Sequence, residues 1–132
     1  MSKHFELVVY TAGEKSYADR IINFIENKRK FFAHRLYKAQ CVKMPKGRMY
    51  KNLQILCANR GMQDIIIVDN CVNSFSLSVR NGVPIKAFKG EEDDRELVYL
   101  SSYLKELSKE EDIRDRITKD FAGYIVTHRY VM

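Results

Sequence analysis

At 132 residues, 45% of them hydrophobic and 30% charged, the chain has room for one globular domain and one main core. No window is apolar for long enough to cross a bilayer, and the first apolar run is interrupted by Glu6 after Met1-Ser2-Lys3-His4, so residues 1–12 are not expected to be a signal peptide. The net charge of +6 is uneven: residues 1–61 hold 13 Lys/Arg against 4 Asp/Glu, whereas residues 62–132 hold 10 against 13, so an anionic partner suits the first half, as does a merely solvated Lys-rich surface.

In chain order, Phe5 to Tyr10 is β-branched, aromatic and nearly continuous, the pattern of a buried strand that ends in a turn at Thr11-Ala12-Gly13. The next segment is a helix with Tyr17, Ile21, Phe24 and Ile25 on one face and Lys28-Arg29-Lys30 in its last turn. Arg35-Leu36-Tyr37 is a short strand, Pro45-Lys46-Gly47 a turn, and Asn52 to Cys57 a short helix with Leu53 and Leu56 inward. Ile65-Ile66-Ile67-Val68, ending in Asp69-Asn70, is the clearest strand and has the character of a central parallel one. Asn81-Gly82 turns the chain into Val83-Pro84-Ile85, where the proline marks a strand start or an edge. Asp93 and Asp94 cap a helix whose inward face is Leu97, Leu100, Leu104 and Leu107, and a final helix carries Ile113, Ile117 and Phe121. Strands alternating with helices predict an α/β fold with a mostly parallel sheet and ligands at the strand C-terminal ends.

Three features sit at or after strand ends: Thr11-Ala12 after an apolar strand, Lys51 in Met49-Tyr50-Lys51-Asn52-Leu53, and Asp69-Asn70. Each alone has a bland explanation, as a turn residue, a solvated lysine or a helix cap. Taken in this order they resemble the second, third and fourth motifs of haloacid dehalogenase-superfamily phosphatases. The resemblance is to the branch of the RNA polymerase II C-terminal-domain small phosphatases and NLI-interacting-factor-like proteins. It extends from about His4 to Phe121 and includes Tyr17-Ala18-Asp19, Arg35-Leu36-Tyr37-Lys38, Cys41, Asn81-Gly82-Val83-Pro84 and Glu92-Asp93-Asp94.

The resemblance implies a three-layer, mostly parallel sheet and a magnesium-dependent phosphomonoester hydrolase acting on phosphorylated protein. An aspartate attacks phosphorus, a second aspartate two residues on serves as acid and base, and Mg2+ neutralises charge. In that scheme the Thr11 hydroxyl and the Ala12 N–H bind phosphoryl oxygens, and Lys51 balances their charge. Asn70 is a metal ligand, and Asp69 orients Lys51 and supports the metal site. Lys38 stands near the substrate entrance where arginine is frequent, supplying charge without a bidentate fork. Asn52 follows Lys51 where an aspartate is common.

The family's first motif, Asp-x-Asp-x-(Thr/Val), occurs nowhere in the sequence. The nucleophile and the general acid are therefore absent, and this chain by itself is expected to be inactive: a fragment, or a truncated homologue. The family strand that carries them lies between the strand ending at Thr11 and the one ending at Asp69, both read as buried on both faces. Its loss predicts open strand edges and self-association. Residues 122–132 lie beyond the resemblance at 1–121 and form a tail in which Tyr124, Val126, His128 and Tyr130 would share one face of an extra strand. The alternative function is a non-catalytic pseudophosphatase that docks phosphoproteins. A nucleic-acid interface at Lys28, Arg29, Lys30, Arg35 and Lys38 has no RNA-binding signature behind it. The cysteines, Cys41, Cys57 and Cys71, are odd in number, with no zinc or disulfide spacing, and favour a reducing, intracellular compartment, nucleus or cytoplasm.

Overall fold

The structure, a computed structural model, describes residues 4–27, 29–86 and 90–128, apart from the side chain of His128. Two compact units make up the chain, Met1–Lys51 and Asn52–Met132. Its strands form three two-stranded sheets, two parallel and one antiparallel, so the architecture is mixed α/β.

In the first unit β1 (Leu7–Tyr10) pairs in parallel with β2 (Phe32–Leu36), Tyr10 opposite Leu36. Parallel neighbours need a crossover, here the helix α1 (Lys15–Glu26). Asn27, at φ 30°, ends that helix, and asparagine tolerates this left-handed backbone better than most residues. Arg29 and Lys30 consequently lie past the last turn rather than in it, and Lys28 lies outside the described residues. The buried side of α1 is the narrow pair Ala18 and Ile22. The broader apolar face read from the sequence points to solvent: Tyr17 is 65% exposed, Ile21 45%, Phe24 85% and Ile25 54%. All four residues of β1 are half-buried, not buried on both faces as expected.

An antiparallel hairpin that the sequence reading lacked completes this unit. It joins β3 (Cys41–Lys43) to β4 (Met49–Lys51), with Cys41 opposite Lys51 and Val42 opposite Tyr50. Its turn is the Pro45-Lys46-Gly47 segment, where Lys46 at φ 68° and Gly47 at φ 74° both occupy left-handed backbone.

In the second unit β5 (Ile67–Asp69) pairs in parallel with β6 (Gly82–Pro84). Ile65 and Ile67 are buried, but Val68 is 36% exposed, so this strand too has only one buried face. The crossover is a string of 3-10 turns over Val72–Asn81, not an α-helix. Asn81 does more than turn the chain: its buried amide donates to the Met62 and Ile65 carbonyls at 2.7 and 2.8 Å. A side chain at Gly82 would put Cβ 2.0 Å from Cδ2 of the fully buried Phe75, so the strand start is a close approach that only glycine permits.

Helix α2 (Glu96–Leu107) has Arg95, not Asp93 or Asp94, at its N-cap position, and the Asp94 carboxylate just before it accepts the Glu96 N–H at 2.8 Å. It packs through Leu100, Tyr103, Leu104 and Leu107; Leu97, expected inward, falls in the first turn outside that seam and is 72% exposed. Helix α3 (Ile113–His128) joins two apolar clusters. Ile113 and Ile117 pack with Val83 and Leu107, Ile125 packs with Leu53, Ile65, Ile67, Val72 and Phe75, and Phe121 touches both groups. The helix therefore runs through residue 121 without a break. Residues 122–128 are helical and not the extra strand expected, because burying Ile125 in the same four-residue rhythm as Ile113, Ile117 and Phe121 outweighs local β preference. Residues 129–132 of that expected strand, Tyr130 among them, lie outside the described residues. Among the described residues no helix is long and apolar enough to cross a membrane.

Two substitutions test this packing by denaturant midpoint. Gly82→Ala forces Phe75 to move and is expected to cost about 1–3 kcal/mol, the usual range for overpacking. Ile125→Ala removes the contact that makes the tail helical and is expected to cost about 2–5 kcal/mol. An unchanged midpoint in either would contradict the assignment.

Candidate functional site

The C-terminal rim of the β1–β2 pair is built by two backbone hydrogen bonds beyond the strands. Thr11 N–H donates to the Leu36 carbonyl at 3.0 Å, and Lys38 N–H donates to the Gly13 carbonyl at 3.1 Å. They bring the Thr11–Glu14 loop beside Tyr37 and Lys38. Within the loop the Thr11 hydroxyl oxygen accepts the Gly13 N–H at 3.0 Å. That contact uses an oxygen lone pair and leaves the hydroxyl proton to donate. A Cβ at Gly13 would lie 3.3 Å from the same oxygen, so glycine lets the loop close on Thr11. Ala12 is exposed at the loop's tip. Lys38 Nζ lies 3.3 Å from Glu14 Oε1, an exposed pair that water weakens.

Lys51 reaches this rim from the hairpin. Its cross-strand partner Cys41 places a thiol 3.8 Å from both the Thr11 and the Tyr37 carbonyls. Burial pushes that thiol up, and the Lys51 charge pulls in the other direction. The Lys51 ammonium stands 6.0 Å from the centroid of the Tyr10 ring, whose hydroxyl donates to the Gln40 carbonyl at 2.5 Å. The structure thus gathers Thr11, Ala12, Lys38 and Lys51 within one unit.

A second group of charges, read in the sequence only as flanking matter, fixes α1 to this rim. Arg35 spans Asp19 (3.0 Å) and Glu26 (2.5 Å), two helical turns apart on α1. Asp19 also accepts a hydrogen bond from the Tyr37 hydroxyl and pairs with Lys15 at 2.6 Å. Glu26 accepts the Phe31 and Phe32 N–H groups at 2.7 and 3.0 Å. Lys15, then Tyr37 and Arg35, hold the Asp19 carboxyl down at about 2. The Phe32 N–H, then Arg35, hold Glu26 at about 2. The seven-residue spacing of two carboxylates facing one arginine is the signal that could have revealed this network. Of the five candidate nucleic-acid contacts, Arg35 is thereby committed to internal pairs, whereas Lys38 is paired only at the surface.

The remaining candidates belong to the second unit. Asp69 ends β5 with 9% exposure, its Oδ1 accepting the Cys71 N–H at 2.9 Å and its carbonyl accepting the Ile85 N–H at 3.2 Å. Asn70, next in the chain, is exposed. Among the described residues no group of three or more His, Cys, Asp or Glu could hold a metal ion. Magnesium requires about six oxygens in near-octahedral array. Asp69 offers a carboxylate, one oxygen of which accepts a backbone N–H, and Asn70 a neutral amide oxygen; magnesium usually keeps several waters and takes only one or two carboxylates besides phosphate, so these two residues fit part of such a site without completing it.

A protein-family model described as NLI interacting factor-like phosphatase matches residues 1–114. The chain is 35% identical over 124 residues to CTD small phosphatase-like protein 2 of Dictyostelium discoideum, covering 94% of this chain and 21% of that protein. It is 33% identical over 113 residues to human CTD small phosphatase-like protein, covering 86% and 40%. It is 32% identical over 115 residues to nuclear envelope morphology protein 1 of Schizosaccharomyces pombe, covering 87% and 24%. The chain thus spans well under half the length of each of these relatives.

The carboxylate network makes a pH prediction. Both groups fall from ordinary values of 3.8 and 4.5 to about 2 in the folded state, so their contribution is complete above about pH 4.5 and is lost as pH falls towards 2. The thermal midpoint should decline across that window. An Asp19→Asn, Glu26→Gln double variant should melt lower at pH 7 and decline less on acidification. Parallel pH curves for the two proteins would refute the assignment.

Proposed function

Because the chain belongs to the NLI interacting factor-like phosphatase family, we propose that it is the phosphate-holding part of a phosphoprotein phosphatase of the haloacid dehalogenase type. The observation that carries this reading is the Thr11 loop: a hydroxyl held by the Gly13 N–H so that its proton can donate, on a rim that also has Lys51.

In this reading Thr11 and the Ala12 N–H bind two phosphoryl oxygens, and Lys51 offsets the charge that the phosphoryl group and an attacking carboxylate bring together. Lys38, once released from Glu14, meets an incoming phosphorylated serine or threonine segment. Asp69 orients Lys51, and Asn70 contributes a neutral oxygen towards the metal. The carboxylate pair that attacks phosphorus and moves the proton is not in the 132 residues and must come from other polypeptide. A parallel strand bearing Asp-x-Asp-x-(Thr/Val) between β1 and β5 would supply it and extend the strand pairs into one three-layer sheet. Magnesium, held in the completed site, supplies neutralisation of the phosphate and carboxylate charges.

Without that strand the same residues constitute a binding module. The absence of any Asp-x-Asp pair favours this second reading for the chain by itself, with a phosphorylated protein docked at the Thr11 rim. Half-buried β1 and the exposed Val68 of β5 support self-association at strand edges in that state. Three free cysteines fit a reducing, intracellular setting, nucleus or cytoplasm.

Joining to the chain a segment that bears the Asp-x-Asp-x-(Thr/Val) strand is expected to yield magnesium-dependent hydrolysis of an aryl phosphate. Lys51→Ala and Asp69→Asn should each lower kcat by about 100-fold or more, the scale of losing one charge-stabilising group. Hydrolysis by the chain alone, or full activity in either variant, would overturn the phosphatase reading.

A further inference from the structure

We propose that Tyr10 is a positioning residue that holds the Lys51 ammonium at the phosphate rim. This rests on the phosphate reading of that rim and adds a residue that reading does not use. A lysine side chain has four rotatable bonds, so a solvated ammonium samples many positions, and a site that must meet one phosphoryl group gains by restricting it. One contact meets this ammonium, and two others fix the groups on either side of it. The Tyr10 ring lies 6.0 Å from Nζ, the reach of a cation–π contact. The ring itself is anchored, because its hydroxyl donates to the Gln40 carbonyl at 2.5 Å, tying it to the 3-10 turn Lys38–Gln40 that leads into β3. On the backbone side, Lys51 is fixed in the hairpin opposite Cys41, whose thiol lies against the Thr11 carbonyl. Tyr10 also precedes Thr11 directly in the chain, so one strand end supplies both the hydroxyl for the phosphoryl oxygen and the ring that restrains its countercharge.

The ring and the hydroxyl have separable duties. Tyr10→Phe keeps the aromatic face and loses only the anchor; Tyr10→Leu keeps bulk and loses the face. The measurement is the lysine side-chain CεH2 spectrum of the full chain, with the Lys51 signal assigned by its disappearance in Lys51→Arg. In the parent protein the Lys51 CεH2 protons should show an upfield ring-current shift that Tyr10→Phe retains and Tyr10→Leu abolishes. Titration with inorganic phosphate should move the Lys51 signal, with affinity about 2- to 5-fold weaker in Tyr10→Leu than in the parent, the range of an exposed cation–π contact.

A parent Lys51 signal without ring-current shift overturns the inference even if Tyr10→Leu does not fold. Phosphate that moves Lys51 equally well in the parent and in folded Tyr10→Leu also overturns it while leaving the phosphate reading intact. Phosphate that leaves Lys51 unmoved in the parent defeats the phosphate reading, and this role with it.

Discussion

The ladder of the parallel pair β1–β2 does not stop at its last strand residues, and the candidate site depends on that continuation. The Thr11 N–H to Leu36 carbonyl bond and the Lys38 N–H to Gly13 carbonyl bond carry the pairing into the loops. They turn two flexible segments into one rim with a fixed hydroxyl and a lysine. Parallel strands place their C-terminal ends on the same side, and for that reason α/β proteins bind ligands there. Asp69 ends the other parallel pair in the same manner, its carbonyl taking the Ile85 N–H and its side chain the Cys71 N–H. Thr11 follows the last residue of β1, and Asp69 is the last residue of β5.

Charge at the rim is arranged in two tiers. Asp19, Glu26 and Arg35 saturate one another and the Phe31 and Phe32 N–H groups, so they serve the frame of α1 and β2 and not a ligand. Lys38 is paired with Glu14 only at the surface, where such pairs open readily. The surplus of positive charge in residues 1–61 is therefore less available than composition alone implies, because Lys15, Arg35 and Lys38 are paired.

Much of the framework is legible in the sequence because it follows local rules. The apolar run before Thr11 is a strand from Leu7, the Ile65 to Val68 run becomes one only from Ile67, and the Asp94 turn at the start of α2 and the Ile113–Ile117–Phe121 spacing appear where their patterns place them. What is not legible concerns partners. Strands of three residues, such as Cys41–Lys43 and Met49–Lys51, are too short for alternation to register, and only their turn is visible. The last helix overrides a β-rich composition because Ile125 has a core to enter, a fact about distant residues. Periodicity finds the apolar face of α1 but cannot tell that Tyr17, Ile21, Phe24 and Ile25 stay exposed among the described residues. For the site, the residue types at Thr11, Lys51, Asp69 and Asn70 were readable. The geometry of Thr11 with Gly13, and the Tyr10 ring beneath Lys51, required coordinates.

The central claim is that the Thr11 rim holds a phosphoryl group. A crystal structure of the chain joined to an aspartate-bearing strand, grown with inorganic phosphate, tests it most directly. The account predicts a phosphate with one oxygen within about 3 Å of the Thr11 hydroxyl and another beside the Lys51 ammonium. A phosphate bound elsewhere, with the Thr11 hydroxyl turned away from it, would contradict the account.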